Sequence, residues 1–264
     1  MKMKMLIVLA LFVSASAFAA ECPLRFPVGT SYVPYCSNGK AGPAVFVIHG
    51  VNRNAKEYLS YLADLDTLVI APEFQASGPG LYWSGGWSSG DKSQDAQRVS
   101  SFAVLDRMVE QFHGVAVVGH SAGGQFVTRY AAGTRMTGLT FIAANPGSYM
   151  WLDKTRPVAN PCSGFNDYKY GRDSLNSYMS AGIAPDYAAR RVYYLLGSLD
   201  TKRDSNLDGS CQADAQGLYR LARGKNFYAN VLKVYPTTSH QLRVIAGVGH
   251  DGRKMLAASK LYLP

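Results

Sequence analysis

The sequence predicts an α/β protein built on a doubly wound, mostly parallel sheet with helices on both faces. Two observations carry this expectation. Short apolar runs recur along the chain at Ala44–Ile48, Thr67–Ala71, Val115–Val118, Leu139–Ala144, Val192–Leu196 and Leu242–Ile245. Each is rich in Val, Ile, Leu and Phe without a polar alternate, as strands covered on both faces of a parallel sheet should be. Between them lie stretches with helical spacing: Phe102, Leu105, Val109 and Phe112, then Leu218, Leu221, Ala222, Tyr228 and Val231. Strands alternating with amphipathic helices give a wound α/β sheet, and such sheets bind ligands beyond the carboxyl ends of their strands.

Composition supports one such unit. The 264 residues are 47% hydrophobic and only 17% charged, which excludes a disordered chain. The first residues read as a secretory leader. Lys2 and Lys4 precede an apolar run from Met5 to Val13, and Ala17-Phe18-Ala19 supplies a small-residue cleavage site. That run is shorter than the roughly 20 residues needed to span a bilayer, so no stable membrane insertion is expected. Residues 1–19 are therefore set aside as a signal peptide, with a single domain over 20–264 and a secreted or periplasmic home. Removing Lys2 and Lys4 lowers the formal charge from +9 to +7. The remaining basic residues form no block, which argues against a nucleic-acid partner.

Four cysteines in an exported chain point to two disulfides. Of three pairings, Cys22–Cys36 closes a short loop and Cys162–Cys211 staples two long surface segments, and this set is favoured. No CxxC or HxxxH spacing suggests zinc, and no metal is expected. Two segments break the alternation, Gln75–Asp95 and Pro146–Asp186. They carry Trp83, Trp87 and Trp151, which are candidates for substrate binding, although for each one taken singly packing of the loops onto the sheet is the preferred reading.

The chemistry concentrates at Gly119-His120-Ser121-Ala122-Gly123. A buried strand ends there, the G-x-S-x-G pattern follows, and a helix starts at once. Small residues two before and two after the serine let strand and helix approach closely. Ser121 Oγ then stands above the sheet at a helix N-terminus, which favours developing negative charge. A serine needs a base and the base needs an acid. His250 follows the last strand and Asp200 follows the strand Val192–Leu196, so both fall on the rim that carries Ser121. Asp204 and Asp208 are weaker candidates for the acid. His240 and His113 belong to the opposite rim, His120 should point away from the nucleophile, and His49 reads as a buried structural residue. The amide of Ala122 supplies one oxyanion donor, and the loop after Ala44–Ile48 supplies the other at Val51 or Asn52.

These pieces resemble the serine α/β-hydrolases. The likeness rests on His49-Gly50-Val-Asn-Arg-Asn-Ala-Lys-Glu-Tyr58, Ala71-Pro-Glu-Phe74, Gly119–Phe126, Leu196-Gly-Ser-Leu-Asp200 and Gly247-Val-Gly-His250. Within that superfamily the chain is most similar to exported esterases of the poly(3-hydroxyalkanoate) depolymerase and feruloyl-esterase-like group. The resemblance implies the α/β-hydrolase fold, a Ser121–Asp200–His250 triad in that chain order, and no cofactor. It also implies a small-molecule or polymeric ester as substrate, acted on by a monomer. Val51 stands where many polyester depolymerases carry Cys. Rival readings are a peptidase or amidase using the same triad, and a non-catalytic binder holding a partner through its tryptophans. Gly247–Gly252 matches a dinucleotide fingerprint, but the chain ends too soon for the required βαβ unit. Asp204-Ser-Asn206-Leu-Asp208-Gly209 resembles the start of a calcium loop, yet its twelfth position is Ala215 rather than Glu.

Overall fold

Eight strands form one sheet in the order β1-β2-β4-β3-β5-β6-β7-β8. The structure is a computed structural model that describes residues 20–158 and 161–264; the leader assigned to residues 1–19 lies outside the described residues. In chain order the elements are β1 (Glu21–Val28), β2 (Ser31–Ser37), β3 (Ala44–Ile48), α1 (Ala55–Leu62), β4 (Leu68–Pro72), α2 (Ser101–Gln111), β5 (Ala116–His120) and α3 (Ala122–Gly133). They continue with β6 (Thr140–Ala144), β7 (Arg191–Gly197), α4 (Cys211–Asp214), α5 (Arg220–Val234), β8 (Gln241–Ile245) and α6 (Gly252–Ser259).

All six expected runs are strands, and β3 through β8 pair in parallel wherever they are neighbours. Their side chains sort by the two-residue period of a strand. Phe46, Ile70, Val117, Phe141, Ala143 and Tyr194 face one core beneath α2, α3 and α5. Val47, Val69, Val118, Ile142 and Leu195 face a second core beneath α1 and α6. Covering both faces explains why these strands read as unbroken apolar runs.

The β1–β2 hairpin, antiparallel to itself and to β4, was not among the expected strands. Its burial alternates, and Pro23, Pro27 and Pro34 interrupt it, as an outer hairpin allows. Leu218 also departs from expectation. It precedes α5 rather than belonging to it and is 61% exposed. The last helix ends at Ser259 and is followed by a single 3₁₀ turn.

Two disulfides form, Cys22–Cys36 across the outer hairpin and Cys162–Cys211 between the 146–186 segment and α4. They close loops of 14 and 49 residues. Loop-closure entropy puts their contributions at about 3 and about 4 kcal/mol. Replacing Cys162 and Cys211 by Ser should therefore lower unfolding stability in urea more than replacing Cys22 and Cys36; equal losses would contradict the entropic account.

Candidate active site

The backbone at the end of β5 sets the geometry. Ser121 sits at φ 59° and ψ −119°, a conformation that a residue with a Cβ adopts only under constraint. The constraint comes from both sides. Ser121 N–H donates to Ala144 O of β6 at 2.9 Å, and Ser121 O accepts from Gln125 N in α3 at 3.0 Å. Gly123 has no room for a side chain: a Cβ there would run into the carbonyl oxygens of Ile48 and His49. At Gly119 a Cβ would strike the backbone of Gly123. The two glycines thus let α3 seat directly on β3 and β5, which turns the serine out above the sheet.

Three side chains far apart in sequence meet there. His250 Nε2 accepts the Ser121 hydroxyl at 2.9 Å, and His250 Nδ1–H donates to Asp200 Oδ2 at 2.8 Å. Asp200 is 2% exposed and leaves β7 in a tight turn, its N–H on Gly197 O and its carbonyl accepting from Leu221 of α5. Its other oxygen lies 3.6 Å from the buried Arg220 guanidinium. The weaker acid candidates point elsewhere. Asp204 takes a two-pronged hydrogen bond from Arg220, which holds its carboxyl down at about 2. Asp208 accepts from Tyr170 at 2.5 Å. With these two carboxylates committed to different partners, the D-x-N-x-D-G run does not converge on one centre.

Of the expected oxyanion donors, Val51 lines the same space and Ala122 is next to Ser121 in the chain. Ala122 is the first residue of α3, so its N–H has no intrahelical partner. Val51 follows Gly50 on the loop after β3, with its side chain half exposed. A cavity of about 220 Å³ opens over Ser121 and His250, walled by Gly50, Val51, Asn52, Tyr58, Tyr61 and Asn206 among others.

His120 corrects an expectation. Its ring does not turn away from the site but lies 4.6 Å from the His250 ring and lines the cavity. Its Nδ1 is 3.1 Å from the Tyr58 hydroxyl. Burial, reinforced by His250, keeps its basicity well below the ordinary histidine range. His49 is buried as expected: Nδ1–H donates to Gly50 O at 2.8 Å and Nε2 accepts the Phe74 N–H at 3.0 Å.

The tryptophans are a second correction. Trp83, Trp87 and Trp151 are 0%, 4% and 2% exposed. Trp87 stacks on Phe74 and packs on His49, Trp83 meets Phe74 edge-on, and Trp151 meets Phe227. None lines the cavity over Ser121. Rings this large are worth more to the core than to a wet cleft, so they fasten the two long loops inward.

Two residues essential to the arrangement carry no sequence signal. Asn145, buried at φ 45°, accepts the Gly197 N–H at 2.7 Å and donates to Gly249 O at 3.0 Å, tying the Asp200 turn to the His250 loop. Arg220 holds Asp204 and approaches Asp200.

No protein-family model and no curated protein matches the chain. Among solved structures it is similar to the poly(3-hydroxybutyrate) depolymerase LpqC from Bordetella parapertussis, with 25% identity and a TM-score of 0.69 over 89% of this chain and 86% of that one. It is also similar to poly(aspartic acid) hydrolase-1 from Sphingomonas sp. KT-1 (24% identity, TM-score 0.71, 91% and 97% covered). A third likeness is to an S-formylglutathione hydrolase from Agrobacterium tumefaciens (13%, 0.51, 89% and 90%). The last two speak to the fold alone.

Acid should loosen this structure before its carboxylates titrate. Burial lowers His49 and His240 to about 4, whereas an unfolded histidine takes up its proton near 6.5. Between those values the unfolded chain binds more protons, so stability falls as pH drops. From pH 6.5 to 5 each residue should cost roughly 2 kcal/mol. A melting temperature that stays level across that interval would overturn this expectation.

By its sheet order, its strand–serine–helix turn and these likenesses, the chain has the α/β-hydrolase fold and is similar to serine hydrolases built on it.

Proposed function

We propose that this protein is an exported esterase that cleaves carboxylic esters through an acyl-enzyme. The observation that carries the reading is the hydrogen-bonded chain from Ser121 through His250 to Asp200. In this reading His250 takes the proton from Ser121 Oγ as it attacks the acyl carbon, and Asp200 keeps Nδ1 protonated and the imidazolium stabilised. The amides of Ala122 and Val51 receive the oxyanion. His250 then protonates the departing alcohol and activates the water that releases the acid.

The substrate is a small-molecule or polymeric ester. The likeness to LpqC favours a polyester depolymerase, and a feruloyl-type esterase is the companion possibility within the same group. The triad is complete within one chain, which suits a monomer. The two disulfides suit a secreted or periplasmic setting, and among the described residues no helix is long and apolar enough to cross a membrane. The non-catalytic reading loses its support, because the tryptophans it relied on are buried.

Ser121→Ala should lower kcat on a short p-nitrophenyl ester by a factor of about 10⁴ or more. The variant's circular dichroism and melting temperature should stay close to wild type. Retained turnover in a folded variant would refute the assignment. Comparing matched ester and anilide substrates separates an esterase from an amidase.

A further inference from the structure

The wall of the cavity opposite Ser121 carries one charge. Asn52, Asn54, Tyr58, Tyr61 and Asn206 offer neutral hydrogen-bonding groups, and Glu57 is the one Asp, Glu, Lys or Arg among the lining residues. Its carboxylate is not loose. Asn54 Nδ2 donates to Oε2 and the Tyr61 hydroxyl donates to Oε1. Arg253 of α6 lies over the Tyr61 ring, 4.8 Å from its centroid, where its charge acts weakly on Glu57, and Lys254 turns to Asp251 at 3.9 Å. The Tyr61 hydrogen bond above all, then the one from Asn54, keeps Glu57 ionised by lowering its pKa. Each carboxylate oxygen retains a free lone pair for a further donor.

Glu57 occupies the third position of α1 after Asn54, where a Glu commonly completes a helix cap. Capping requires that its carboxylate reach the backbone N–H of the cap residue. Here it instead binds the Asn54 side chain and Tyr61, and so stays on the cavity wall.

We infer that Glu57 makes this site selective for esters bearing hydroxyl or ammonium donors near the scissile bond, and that it turns away substrates bearing a carboxylate there. The inference rests on the proposed hydrolase reading and adds the substrate class. It also runs against the long-range field of the protein. Residues 20–264 carry a formal charge of +7, which by itself would draw anions. A preference for cations must then come from a local group.

The test uses three fluorophosphonates of equal length whose tails end in a protonated primary ammonium, a hydroxyl or a carboxylate. Second-order rates of Ser121 labelling are measured at low salt on the full mature chain. The ammonium tail should react about tenfold faster than the carboxylate tail, with the hydroxyl between them. The spread should shrink at 0.5 M salt. Glu57→Gln should bring the ammonium and carboxylate rates within about threefold, and Glu57→Lys should invert their order. Melting temperatures identify any variant that fails to fold, and the wild-type ordering stands as a test without them. A wild type that reacts with the carboxylate tail at least as fast as the ammonium tail overturns the inference, as does an unchanged ratio in folded Glu57→Gln. Labelling that discriminates wrongly but still depends on Ser121 leaves the hydrolase reading intact. Absence of labelling by all three tails removes both.

Discussion

The seating of α3 on the carbonyl oxygens of Ile48 and His49 at Gly123 is the contact on which the site depends. Because nothing larger than hydrogen fits between them, the helix begins within one residue of the strand end, and Ser121 must take a positive φ to make the turn. The strain of that conformation, of the order of 1–3 kcal/mol, is offset by the backbone hydrogen bonds to Ala144 and from Gln125 and by the packing of Phe126 and Tyr130 behind them. The same turn fixes three things at once: an exposed hydroxyl, an unpartnered N–H at Ala122, and a helix dipole aimed at developing negative charge.

The other two members of the triad are held by a network that reaches them from behind. Asn145 joins the β7 turn to the His250 loop through one side chain, and Arg220 and Leu221 bring the start of α5 under Asp200. Asp251 caps α6 directly after His250 by accepting from Lys254 N. His250 is therefore fixed on its two flanks, by a cap on one side and by the His120 ring on the other. His120 can fill that place because burial keeps it neutral; a charged ring so near would oppose an imidazolium at His250, such as the proposed reaction requires.

The charge balance of the cavity follows from the fold around it. The basic residues of the site region are drawn into structural pairs: Arg220 with Asp204, Arg203 with Asp214, Lys254 with Asp251, Arg253 over Tyr61. Glu57 instead takes its hydrogen bonds from the neutral Asn54 and Tyr61 side chains, and Arg253 acts on it only as a weaker, unbonded charge. A protein with a basic surface thus presents an acidic wall to whatever reaches Ser121.

The sequence by itself determined the sheet core and the rim on which Ser121, Asp200 and His250 meet. Runs such as Val45–Ile48 have no polar alternate because both faces are covered, and the order of parallel strands places Ser121, Asp200 and His250 on one rim, since each follows the carboxyl end of its strand. The disulfide set was the one favoured from sequence, Cys22–Cys36 for its short loop and Cys162–Cys211 as a staple between two long segments. The outer hairpin was not, because half-buried strands broken by proline carry little hydrophobic period. Only the tertiary structure decided which way the side chains between those fixed points turn. The tryptophans pack inward because 146–186 and 75–95 fold over apolar rings, and His120 lies beside His250 with its Nδ1 on the Tyr58 hydroxyl of α1. Glu57 lines the cavity because Asn54 and Tyr61 hold it there. Each of these depends on neighbours distant in the chain, and neither periodicity nor spacing records such neighbours.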